Sequence, residues 1–199
     1  MSYAKFFDGV ESIKLFDPLA QFLGAFDDGN YEVTFLEVVK AAGHSCPTVA
    51  GAYLAALEGL KVLYPEGRAV RGALMVEFSE DAKEGVAGVI ANVISHITGA
   101  TESSGFKGLN GKFARHSLMS FNASIDSSVR FTRVDNKKSV DVYYDHSTIG
   151  GNPKMQQLMQ KAMMGMASAD EIKEFGTLWQ SRVEDIIRNK DRVIRVVER

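Results

Sequence analysis

Apolar residues along the chain fall into runs whose spacing changes from helical to alternating and back. Asp17-Pro18 sets an N-cap residue before proline at the first helical position, and Leu19, Phe22, Leu23 and Phe26 follow at helical spacing. A helix carrying those four side chains inward is expected there, ending at Gly29-Asn30. Phe35, Val38 and Val39 predict a short second helix from about Thr34 to Ala42, with Gly43 as its terminator. After Gly43-His44-Ser45-Cys46 a third helix is expected from Pro47 to about Tyr64, and its Ala50, Gly51, Ala52, Ala55 and Ala56 permit very close packing. Alternation then takes over from Arg71 to Phe78, where Gly72, Leu74, Val76 and Phe78 recur with a period of two, as in a strand. Val86, Val89, Ile90, Val93, Ile94 and Ile97 form a wide helical stripe between Glu84 and Thr98, expected to face the core and to stop at Gly99.

The segment from Thr101 to Lys112 is rich in Gly and Ser and fits no regular element, which makes it a candidate binding loop. Ser117 to Ser124, Ser128 to Val134 and Ser139 to Tyr144 read as an antiparallel group, the last two joined by the polar turn Asp135-Asn136-Lys137-Lys138. Asn152-Pro153 opens a Met-rich helix to about Met166, Ser168 with Glu171 is a capping-box signal for another to about Arg188, and Arg192 to Val197 reads as a short closing strand. The expected class is α+β: a central, mainly antiparallel sheet packed with helices, followed by a helical tail over about 153–199. Without a Ser/Gly linker or an internal repeat, residues 1–199 read as one domain.

Composition narrows the function classes. With 199 residues, 45% of them hydrophobic, the chain can bury a core without disulfides or a structural metal. Lys and Arg number 23 against 25 Asp and Glu, so the basic excess that a phosphate backbone requires is missing and nucleic acid is not the expected partner. One cysteine can form neither an internal disulfide nor a four-cysteine zinc site. No stretch reaches 18 uninterrupted apolar residues and no secretory leader is apparent, so no membrane partner and a cytoplasmic location are expected.

The candidate chemistry centres on Gly43-His44-Ser45-Cys46-Pro47, where an imidazole and a thiol lie two residues apart just before a helix. Free N–H groups and the helix dipole favour a thiolate there, suited to metal ligation or nucleophilic attack; a buried cysteine with a loop-capping histidine is the ordinary alternative. Met155, Met159, Met163, Met164 and Met166 read as an adaptable packing face and Trp179 as core or interface. Gly105, Gly108 and Gly111 lack the sequence of a phosphate loop, and Glu77, Glu80, Asp81 and Glu84 fit a solvated turn.

Around this motif the chain resembles the core domain of the FmdE family of formylmethanofuran dehydrogenase proteins, whose members carry H-G-H-x-C-P-G before a small-residue helix. Here the stretch reads Ala42-Gly43-His44-Ser45-Cys46-Pro47-Thr48, and the resemblance extends through the helix ending in Thr98-Gly99, the Gly111-Lys112 turn, the strand group and the closing helices. It implies an α+β fold, an intertwined homodimer and a transition-metal site, usually zinc, involving His44 and Cys46. The family's other ligand positions are occupied by Ala42, Val89 and Ala100, and the zinc-finger extension of some members is absent. Replacement donors are therefore expected: His96, one turn before Ala100 if the helix persists, and His116 after the glycine-rich loop, with His146 a weaker candidate. The resulting expectation is an FmdE-like metal-binding protein, accessory or sensing, with zinc or another transition metal at His44, Cys46, His96 and His116. The alternatives are a metal- or thiol-dependent enzyme acting on a small molecule, and a haem protein ligated through Cys46-Pro47.

Overall fold

A 3-10 turn over Lys5–Gly9 leads into strand β1 (Ile13–Phe16), and the computed structural model describes the chain over residues 2–199. Helix α1 (Pro18–Phe22) begins where expected, with the Asp17 carboxylate accepting the Leu19 and Ala20 N–H groups. Strand β2 (Asn30–Val33) returns antiparallel to β1. Helix α2 (Phe35–Ala42) has a complete capping box between Thr34 and Glu37 and stops at Gly43, which adopts the left-handed conformation that terminates helices. Helix α3 (Pro47–Leu63) follows, then β3 (Ala69–Val70), which pairs parallel to β1 and completes a three-stranded sheet in the order β2-β1-β3.

The second sheet has five strands in the order β5-β4-β6-β7-β8. Strand β4 (Leu74–Glu77) precedes helix α4 (Ala87–Thr98), and β5 (Met119–Ser120), β6 (Val129–Arg133) and β7 (Ser139–Tyr144) come after the glycine-rich segment. Helices α5 (Pro153–Met163), α6 (Ala169–Arg188) and the short α7 (Lys190–Val193) form the tail, whose last strand β8 (Ile194–Glu198) adds to the sheet beside β7. Three of the four pairings are antiparallel, which is the expected mainly antiparallel sheet in an α+β fold.

Helix α3 is the axis of the core. It is apolar around almost its whole circumference, and Ala50, Tyr53 and Ala56 are buried. Its glycines set its distance from the sheet: a Cβ at Gly59 would lie 3.0 Å from the Phe131 ring of β6, and one at Gly51 would overlap the ring of Tyr144 at the end of β7. The tail is anchored to the start of the same helix, since the Trp179 indole N–H and the Gln180 amide both donate to the Ser45 carbonyl, at 2.8 and 3.3 Å. Trp179 is partly buried against the core, as its spacing suggests.

Several local expectations need correction. Helix α1 is only five residues long; Phe22, Leu23 and Phe26 are exposed, and Gly29-Asn30 introduces β2 instead of ending a helix. One turn of helix cannot point residues 19 to 26 to one side, and the chain leaves it at Leu23. Of the α4 stripe, Val93, Ile94 and Ile97 are buried while Val86, which precedes the helix, and Val89, which lines a cavity at the surface, are exposed. Strand β5 pairs parallel to β4, not antiparallel, because the segment that includes α4 carries the chain back across the sheet. No helix of the described residues is long and apolar enough to cross a membrane.

Candidate functional site

The turn at Gly43 (φ 76°) brings His44 to the surface between α2 and α3. The His44 Nδ1 lies 3.0 Å from the Ala42 carbonyl oxygen. A carbonyl can only accept, so the ring proton sits on Nδ1 and the Nε2 lone pair is left available, the arrangement in which a backbone carbonyl orients a ligating histidine. His96, in the last turn of α4, lines the same cavity of about 270 Å³, walled by Val38, Ala42, Val89 and Val93. Burial, and after it the positive charge of Arg71, lowers the His96 pKa below the usual imidazole value, which favours the neutral form that a metal requires.

Cys46 lies outside that cavity lining. As the N-cap of α3, its Sγ accepts the Val49 N–H at 3.4 Å, and the side chain is half-buried against the core. Next to it, the Tyr144 hydroxyl donates to the Pro47 carbonyl at 2.7 Å. Burial, and then the charge that a Cys46 thiolate carries, raise the Tyr144 pKa far above the usual phenol value.

His116 is also apart, half-buried beyond the glycine-rich loop with its Nδ1 3.0 Å from Ser117 Oγ. Among the described residues no three His, Cys, Asp or Glu side chains converge into a metal cage. Of the four expected ligands, the fold brings His44 and His96 to one cavity and leaves Cys46 and His116 outside it. Gly99 ends α4 in the left-handed conformation, so the helix does not persist to the buried Ala100, and His96 does not stand in for that position along a continuous helix.

Two groups that sequence reasoning passed over shape this region. Arg71 donates to the carbonyls of His96 and Ile97 at 3.1 and 3.2 Å, placing a cation on the negative end of α4, and to Asp17 at 3.2 Å. Arg115, buried behind it, donates to the same carboxylate at 2.6 Å. His146, the weakest of the sequence candidates, lines a second cavity with Tyr144 on the other side of the α3 mouth. The local signal for that cavity was Gly51, a glycine inside a helix that a side chain from elsewhere approaches closely.

The fold and the imidazole pair define an α+β protein with a small two-histidine cavity between α2, the turn that follows it, and α4. Compared with models of known protein families the chain matches none, and no curated protein matches it.

Proposed function

We propose that the protein is an FmdE-like transition-metal-binding protein in which His44 and His96 are the anchoring ligands. The observation that carries this reading is their shared cavity: one imidazole is held by a backbone carbonyl with Nε2 free, and the other is biased toward its neutral form. Imidazole donors suit zinc and its neighbours and not magnesium or calcium. A bound ion supplies Lewis acidity and a fixed coordination geometry, and two protein ligands leave further positions for water or an exogenous donor. That open shell fits an accessory or sensing role better than a closed structural site.

Pairing of two copies belongs to the same reading. Phe22 and Leu23 are 65% and 63% exposed, Phe22 packs on Phe113, and Phe106 and Leu109 of the glycine-rich segment are exposed as well. A nucleophilic role for Cys46 draws less support, because its hydrogen bond comes from the Val49 amide and not from an imidazole base. Haem draws less as well: the cavity that begins at Thr48 is about 240 Å³, below the roughly 300 Å³ at which pockets for drug-sized ligands begin, and Cys46 does not line it.

Equilibrium dialysis of untagged protein against zinc tests the proposal. One ion per chain is expected, with affinity weakened about tenfold or more in His44→Ala and in His96→Ala and little changed in Cys46→Ser. Absence of zinc from the wild-type protein, or wild-type affinity in both histidine variants, contradicts it.

A further inference from the structure

The second cavity at the α3 mouth has a construction of its own. Its floor is apolar, made by Ala52 and Ala55 of α3, Phe78 beyond β4 and Val129 of β6, all buried. Its polar lining comprises Thr48, Ser79, Ser128, His146 and the exposed Glu80; Ser128 and His146 both lie against Tyr144 at one end, and the Ser79 hydroxyl is committed to the Ser127 carbonyl. Tyr144 closes the wall by lying over Gly51, and its hydroxyl proton is committed to the Pro47 carbonyl.

The hydrogen-bonding state of that end selects the ligand class. Ser128 Oγ accepts the Tyr144 N–H at 3.0 Å, so its own O–H is free to donate. The His146 ring packs edge-on to Tyr144 at 5.4 Å, and its Nδ1 is sealed from solvent with no hydrogen-bond partner. A ligand in the cavity cannot reach that sealed nitrogen and would meet the ring through Nε2. Thr48 lies in the first turn of the 17-residue α3, where the backbone carries positive character. Free hydroxyl donors, an imidazole and a helix N-terminus lining a cavity with a hydrocarbon floor call for an acceptor-rich head on a short apolar body. At about 240 Å³ there is room for about eight groups the size of a water molecule.

We propose that this cavity binds a small monocarboxylate of about four to seven carbons, its hydrocarbon part on Ala52, Ala55, Phe78 and Val129 and its carboxylate at His146, Ser128 and Thr48. The site is independent of the His44–His96 cavity and needs no metal.

The test is calorimetric titration of the full chain with butanoate, hexanoate and benzoate, with hexylammonium and hexanol as controls. Saturable binding of at least one carboxylate, tighter than either control, is expected. Ala55→Leu, which fills the floor, should abolish it while circular dichroism stays native, and His146→Gln and Ser128→Ala should each weaken it about fivefold or more. The two polar-end variants keep the test decisive if Ala55→Leu fails to fold. No saturable carboxylate binding, binding unchanged in His146→Gln and Ser128→Ala, or tighter binding of hexylammonium through Glu80 each overturns the proposal.

Discussion

Asp17→Ala is expected to destabilise the protein by about 3–5 kcal/mol, the cost of leaving a buried charge without its partner. Asp17 is 5% exposed and Arg115 6% exposed, and among the described residues their 2.6 Å ion pair is the only hydrogen bond that the Arg115 side chain makes, its Nε and Nη1 having no partner there. Gly72 and Gly99 lie so close to the guanidinium that a Cβ at either would press on it. The same carboxylate caps α1 and holds Arg71, which in turn holds the carbonyl end of α4 beside His96. Burial alone would raise the Asp17 pKa; the Ala20 N–H and Arg115 outweigh it and lower the value, keeping the group ionised. Urea denaturation of Asp17→Ala, Arg115→Met and the double variant measures the effect. The double variant should recover much of the loss, because an apolar side chain in place of the arginine removes the uncompensated charge. A loss below about 1 kcal/mol for Asp17→Ala would mean that Arg115 finds another partner.

Asp141→Ala is the second large effect, expected at about 2–4 kcal/mol at neutral pH. The carboxylate is fully buried on β7 and accepts from Arg130 at 2.7 and 3.0 Å, from Arg199 at 2.6 Å and from Ser127 at 3.1 Å. It thereby joins β6, β7 and the end of the chain beyond β8. Both arginines keep some exposure, 25% and 46%, so the guanidiniums left behind can rehydrate and the loss stays below that expected at Asp17. The Arg130 guanidinium above all, then Arg199 and Ser127, holds the Asp141 pKa down to about 2. Because that is below the unfolded value near 3.9, the ionised carboxylate contributes about 2.5 kcal/mol above about pH 4, and the contribution disappears as pH falls through about 2. Stability curves of wild type and Asp141→Ala should therefore converge on acidification. A gap that persists unchanged to pH 2 would assign the effect to packing instead of charge.

Signals written in neighbouring residues were the readable ones. Gly43, Cys46 with Pro47, Gly99, and Ser168 with Glu171 mark helix ends through local hydrogen bonds and backbone conformation, and α2, α3, α4 and α6 stop or start at those residues. The sheet β2-β1-β3 was not readable. Its strands are two to four residues long, and the β1–β3 pairing joins residues more than fifty positions apart, so no alternation long enough to recognise exists. The His44–Cys46 spacing drew attention to the turn between α2 and α3 but not to which side chains share a cavity there. His96 reaches His44 through the packing of α2 against α4, whereas Cys46 is turned to cap its own helix. Tyr144 and His146 meet α3 from more than ninety residues away, and only the glycine they pack near left a trace in the sequence. Buried Arg115 left none, because an arginine at a loop end ordinarily faces water.

The paired imidazoles are the centre of the proposed chemistry, and nitrogen-detected NMR of the histidine side chains during zinc titration examines them most directly. The chain has four histidines, each assignable by single substitution. The Nε2 signals of His44 and His96 should move together and saturate at one zinc per chain, with His116 and His146 unmoved. Movement of His116 or His146 in their place, or no histidine responding at all, would contradict the two-histidine site.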